Sequence, residues 1–586
     1  MRYLSAGLIY VAVSTVAALL LGMDGGGLYF GISLVALLFG TAAAIATFFT
    51  VSPDATVAAE DQRRRYSYIW LWLVGFVFAM FALRSFCWLY YYDGNDVRIQ
   101  SPNNLGDLGL HITYIKTFAN GVALWPDSPL YVYSKLRYPA GVDLFNAIFA
   151  ILGFDLRHQL AFTGLLASAA TFYAFYRWSG TFGVAGFLFN GGLIGYQFFR
   201  TWQFLDYQGG PNISWKSIAL SMFVTQRGLL YAIPAGLVLL WQWRAKYADE
   251  TKSAQQRLPF WIEYVLYATM PLFHVHTFLA LNVVAIIIFL GRPAARRPLL
   301  QLVGLSLIPA SFFVWLITDH FHAGSVLQWQ PGWTQRVGDF AMPFLQFWLV
   351  NFGLFLLLAI LLVIILGREQ LKGVQAGNFH LSIDFLLLIA AVIIFVITCL
   401  VKTAPWEWDN TKILIWAYFL VLPVMWNRLL KHGSFSMRAA ACFVLFVSGF
   451  VSLIGGLAAG MPGYGFANRA EVDSVADATR RLPVEARFAA YPTYNHPLLL
   501  NGRKVVCGYE GHLWTQGIDY TAIESKLKTL MLGQGDWMST AHELHVRYLF
   551  WGKEESTYYA TSSRPWEKKL PLVAKGNWGA IYDFGR

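Results

Sequence analysis

From Leu4 to Leu457 the chain repeats one pattern, a hydrophobic run followed by a short polar stretch. Runs of about 18 to 25 residues are each long enough to cross a hydrocarbon core of roughly 30 Å. A single anchor cannot account for them. With 57% of its 586 residues hydrophobic and only 13% charged, the chain must place most of its surface against lipid, which excludes an ordinary soluble fold. The first run, Leu4 to Leu21, lacks a small-residue cleavage site and is followed almost at once by another, so it reads as a membrane helix rather than a signal peptide.

The net charge of +11 resides in short Lys/Arg clusters between the runs rather than on one basic stripe, which marks topology and not nucleic-acid binding. About thirteen crossings put Arg63-Arg64-Arg65, Arg244 with Lys246, Arg292 with Arg296 and Arg297, Arg368 with Lys372, and Arg428 with Lys431 on one side, the cytoplasm by the positive-inside rule. One crossing depends on dividing Phe260 to Leu290 into two short helices that meet at His274-Val275-His276. The same count exposes four polar segments outside: Tyr91 to Ala140, Arg200 to Ser214, Asp319 to Pro343 and Lys402 to Lys412. The first is far longer than the cytoplasmic connections, and loops of that length are usually functional.

The expected fold is an α-helical polytopic membrane protein of about thirteen transmembrane helices over residues 1–460, with a long first outer loop at 91–140. A soluble α/β domain follows at 461–586, with a polar helix (Glu471 to Arg481) and strand-like runs (Arg487 to Tyr491, Val546 to Trp551). The expected setting is a bacterial inner membrane, with this domain periplasmic. Its segment Cys507-Gly-Tyr-Glu-Gly-His-Leu-Trp514 lacks the Lys-Ser/Thr of a phosphate-binding loop and reads as a turn. Cys87, Cys399 and Cys442 lie in or beside hydrophobic runs and Cys507 stands apart, so neither a disulfide framework nor a paired-Cys zinc site follows.

Candidates for chemistry gather in the outer segments. Asp107 and His111, four residues apart, share one face of a helix and can bind a metal or act as base and orienting partner. The bland alternative is that Asp107 caps the apolar run that follows it. His274 and His276 stand at a helix junction, where contact with a phosphate or sugar hydroxyl is favoured over metal, because alternation suits a strand better than a helix. Arg227 falls near the middle of the run Trp215 to Trp243, at an insertion cost of at least about 2.5–3.5 kcal/mol. Either a lipid-linked phosphate or a carboxylate on a neighbouring helix must compensate it. In the last outer segment Lys402 and Lys412 suit a phosphate while Glu407 and Asp409 suit hydroxyls, with a salt-bridged junction as the alternative. Asp319, His320, His322, Gln328, Gln330 and Trp333 form a weaker group that fits sugar binding or interfacial packing.

An acidic residue in a long first outer loop, beneath many helices and beside a C-terminal outer domain, resembles the GT-C superfamily of polytopic membrane glycosyltransferases. Protein mannosyltransferases, aminoarabinose transferases and oligosaccharyltransferase catalytic subunits belong to it. The resemblance implies a polyprenyl-phosphate-linked sugar donor, a lipid, glycan or protein acceptor, and Asp107 as base or acceptor-positioning group. Asp107 would take the proton from the attacking hydroxyl with His111 orienting it, while Arg227, Lys402 or Lys412 stabilise the leaving lipid phosphate and the anomeric centre inverts. The chain departs from the oligosaccharyltransferase pattern in having a lone Asp107 rather than an Asp-x-Asp pair, and in carrying Trp406-Glu-Trp408-Asp409 between helices. Both departures argue against metal-dependent asparagine glycosylation. No cofactor is firmly implied, and a divalent metal is the less favoured reading. Membrane lipids are expected partners and nucleic acid is not. The competing classes are a transporter or flippase for a lipid-linked saccharide, and a noncatalytic cell-envelope assembly protein.

Overall fold

The computed structural model describes residues 1–52, 65–210, 212–248, 257–324, 326–332, 342–375, 380–458 and 463–585. Arg63, Arg64 and Trp333 lie outside them. The chain is a mostly helical integral membrane protein. Among the described residues, eight helices are long and apolar enough to cross a membrane: Arg2–Asp24, Phe30–Thr50, Tyr68–Cys87, Pro293–Ile317, Leu354–Gln375, Ile383–Leu400, Glu407–Leu430 and Phe435–Ala458.

The other runs counted in the sequence are present as broken helices, and each break has a local cause. Leu156–Leu188 is interrupted at Ser179 and Gly180, where Gly180 adopts φ 62° and ψ −155°, a conformation that suits glycine alone. The run from Trp215 to Trp243 divides into a π-helical turn (Ala219–Phe223) and a helix (Gly228–Tyr247), with the polar Thr225-Gln226-Arg227 between them. Arg227 is therefore not in mid-helix as the hydropathy suggested but at the start of the second piece. Phe260 to Leu290 divides at His274, as expected. Phe260–Ala268 and Met270–Phe273 lead into an extended His274, whose side chain caps Val275–Gly291 by accepting from the Thr277 N–H. Two elements form the buried centre of the bundle, Gly228–Tyr247 and Thr411–Met425, the latter buried at every residue but Lys412.

All four polar segments meet at one end of the bundle. Arg137 pairs with Asp319 at 2.9 Å, Gln328–Trp329 pairs as a short ladder with Val401–Lys402, and the Trp408 indole donates to the Ser214 carbonyl at 3.1 Å. The basic clusters gather elsewhere: Arg244 and Arg428 both reach Asp384, at 3.0 and 3.7 Å, and Arg428 also reaches Glu369 at 3.3 Å.

The C-terminal region is a mixed sheet with helices, in the order Leu572–Gly576, Gly579–Asp583, Tyr548–Gly552, Arg487–Ala489, Lys504–Val505. The last three strands are parallel and the first three antiparallel. The expected polar helix spans Arg469–Thr479. This region is stitched to the first polar segment: Tyr464–Asn468 pairs antiparallel with Asp96–Ile99, and the Val505 and Gly508 N–H groups donate to Pro129 and Leu130 carbonyls at 2.9 and 2.7 Å.

Candidate functional site

The first polar segment contributes one helix, Leu105–Ala119, wedged between the bundle and the C-terminal region. Its N-cap is Asn104, without a side-chain capping bond, so Asp107 is not the cap. Asp107 lies in the first turn, where the helix dipole favours a carboxylate, and its Oδ2 accepts from the Gln226 amide at 3.2 Å. Burial pushes the Asp107 pKa up, opposed by His111, Lys412 and the Gln226 bond and reinforced by Asp409. Gln226 was not a sequence candidate, and it stands in the polar break that the hydropathy average concealed.

One turn along the same face, His111 turns to a different partner. Its Nδ1 donates to Asp143, 2.9 Å from Oδ2 and 3.1 Å from Oδ1, rather than orienting Asp107. Asp143 belongs to Gly141–Ile151 and escaped the sequence reading, although a lone carboxylate in an apolar helix is itself a signal. Arg227, 1% exposed, completes the group: Nε lies 3.6 Å from Asp143 Oδ1, and Nη2 donates to Asn146 at 2.6 Å and Thr163 at 3.3 Å. A carboxylate on a neighbouring helix thus compensates the arginine.

The last polar segment reaches the same place. Lys412 binds Asp409 at 2.9 Å, and the two lie within electrostatic reach of both Asp107 and His276. His274 accepts from Thr277 through Nδ1, and its ring lies 5.5 Å from that of His276. Asp107, His111, Arg227, His274, His276, Asp409 and Lys412 therefore converge from four separate parts of the sequence. Lys402 and Glu407 pair with each other at 3.9 Å, with Lys402 held in the short ladder. Asp319 is taken up by Arg137 and the Lys135 N–H, and His320 stacks on Trp315 at 4.0 Å, so these are structural contacts.

Four buried polar atoms in this group have no hydrogen-bond partner among the described residues: His111 Nε2, Arg227 Nε and Nη1, and His274 Nε2, of which Arg227 Nε has only the 3.6 Å ion pair with Asp143. Each such atom costs about 1–3 kcal/mol when unmet, and such atoms in native proteins cluster where a ligand or water meets them. Among the described residues no three or more His, Cys, Asp or Glu are placed to hold a metal ion.

The chain is similar to two solved GT-C membrane glycosyltransferases. ArnT from Cupriavidus metallidurans, bound to undecaprenyl phosphate, shares 12% identity with a TM-score of 0.44, over 88% of this chain and 97% of ArnT. The Archaeoglobus fulgidus oligosaccharyltransferase, in complex with Zn and sulfate, shares 14% identity with a TM-score of 0.40, over 83% of this chain and 69% of its own. No family model and no curated protein matches the chain.

Proposed function

We propose that this chain is a membrane glycosyltransferase that moves a sugar from a polyprenyl-phosphate-linked donor to an acceptor hydroxyl on the periplasmic face of a bacterial inner membrane. In this reading the chain crosses about thirteen times and its C-terminal domain is periplasmic. The observation that carries the proposal is Asp107, a half-buried carboxylate held by Gln226 within reach of Lys412 and His111 at the end of an apolar bundle. Raising a carboxyl pKa by burial makes its ionised form a stronger base.

Asp107 takes the proton from the acceptor hydroxyl as that oxygen bonds to the anomeric carbon. The bond from that carbon to the phosphate oxygen breaks, and its electron pair leaves with the lipid phosphate. Lys412, Arg227 Nη1, and the imidazoles of His274 and His276 line the path where this anion would sit. His111, fixed by Asp143, offers Nε2 to the reacting groups rather than steering Asp107.

The test is transfer from radiolabelled polyprenyl-phosphate sugars by purified protein in lipid nanodiscs. Asp107→Asn should lose about 10²-fold or more in rate, the range of general-base catalysis. Undiminished transfer would sink the base assignment, and translocation without transfer by the unmodified protein would replace the proposal with a flippase.

A further inference from the structure

The segment from Cys507 to Trp514 does more than turn the chain. Gly508 is tied to Leu130 as above, and the short helix Glu510–Thr515 then carries His512 against Gly106, the residue before Asp107. His512 is only 7% exposed, and its Nε2 lies 3.5 Å from where a Gly106 Cβ would stand. Burial, and then the nearby His111, lower the His512 pKa to about 4, against a partial opposing effect of the Gly106 backbone as hydrogen-bond partner. The ring is neutral at pH 7. With the Nε2 edge toward Gly106, Nδ1 presents a lone pair, and this buried atom has no partner among the described residues. An orphaned acceptor on the residue that packs against Gly106, the neighbour of Asp107 in the chain, calls for a ligand donor such as a hydroxyl.

A strip of tyrosines leads outward from His512. The Tyr509 ring lies 5.2 Å from the His512 ring and 5.7 Å from that of Tyr494. Glu554 is within electrostatic reach of both Tyr494 and Tyr491, and Tyr491 stacks at 4.0 Å on Tyr558, which is 61% exposed. Aromatic faces with carboxylates beside them match a saccharide, whose C–H faces stack while its hydroxyls donate to carboxylates. A lipid tail would need an aliphatic wall. An extended peptide would need an open strand edge.

We propose that the acceptor is a saccharide chain lying along this tyrosine strip, with one hydroxyl donated to His512 Nδ1 so that a neighbouring hydroxyl of the same sugar, its proton free, is presented to Asp107. This rests on the transferase reading and adds to it the acceptor class and a substrate-binding residue from the C-terminal region.

The experiment uses full-length protein in nanodiscs and saturation-transfer NMR with neutral hexasaccharides of glucose, mannose, galactose and N-acetylglucosamine, alongside a Ser/Thr-rich peptide of similar mass. At least one hexasaccharide should bind the unmodified protein and Asp107→Asn. Binding should weaken about tenfold in His512→Phe and in Tyr558→Ala, the loss of one stacking or hydrogen-bonding contact. Tyr558 is exposed, so its variant keeps the test valid if His512→Phe does not fold. Binding of no hexasaccharide, binding indifferent to Tyr558→Ala, or binding of the peptide alone would overturn the inference. Saccharide binding without any transfer would leave the strip standing and sink the transferase reading, whereas transfer to a non-saccharide acceptor would do the reverse.

Discussion

Asp107 carries a cost that identifies it. Its pKa is raised by burial, so the folded protein holds this proton more tightly than the unfolded chain does. The stability contributed by the group is fully present below the unfolded value of about 3.9 and is lost as pH rises through the higher folded value. Asparagine mimics the protonated form, so Asp107→Asn should leave the melting temperature unchanged or higher at pH 7 while transfer fails; a clear drop in melting temperature would mark Asp107 as structural. The same shift sets the sign for activity. A base works only when ionised, so the acid limb of the rate profile should lie above the ordinary carboxylate range and the rate should fall as pH drops through it, as initial rates across the acid and neutral range would show.

The Asp143 and Arg227 pair obeys the opposite logic, because both ends are charged and buried. Removing one partner strands the other, so Asp143→Ala should destabilise by about 3–5 kcal/mol in detergent unfolding. Asp143→Leu combined with Arg227→Met should recover most of that loss, and additive losses would show that the two are uncoupled. Asp107 and His111 were legible from their spacing. Asp143 was not paired with them, since nothing local says that a carboxylate 32 residues on will meet His111. His512 is invisible to any local pattern for the same reason, being brought to Gly106 only by the docking of the C-terminal region.

The helix Leu105–Ala119 holds this arrangement through close backbone packing. A Cβ at Gly109 would stand 2.4 Å from the Tyr494 carbonyl oxygen, a backbone atom that cannot swing aside. Gly109→Ala should therefore lift the helix from the C-terminal region, seen as faster limited proteolysis of the full-length protein and loss of transfer. Gly106→Ala, whose Cβ meets its nearest neighbour at 3.5 Å, should be tolerated and serves as the control. Equal sensitivity at the two positions would refute the packing argument. Hydropathy revealed the break at His274 because two histidines mark it. It missed the break before Gly228 because three polar residues within a long apolar run barely change its average, and a π-helical turn leaves no signature in periodicity.

For the whole molecule, the four polar segments that charge alternation groups together meet at one end, and two of the basic clusters, at Arg244 and Arg428, converge on Asp384. Which end faces the cytoplasm is a separate matter, decided during insertion by Lys and Arg, while carboxylates such as Asp384 and Glu369 contribute little. Those two acids pair with the cluster in the folded protein without cancelling its effect on orientation. The Arg428 end should therefore be cytoplasmic. In a background with the four native cysteines replaced by alanine, Ser539→Cys, exposed in the C-terminal region, should react with a membrane-impermeant maleimide once the outer membrane is opened. Ser436→Cys, exposed beside Arg438 and eight residues beyond Arg428, should react only after the inner membrane is also permeabilised. The inverse pattern would put Asp107 and its donor in the cytoplasm, where nucleotide-activated sugars are available, and would remove the reason for a lipid-phosphate donor.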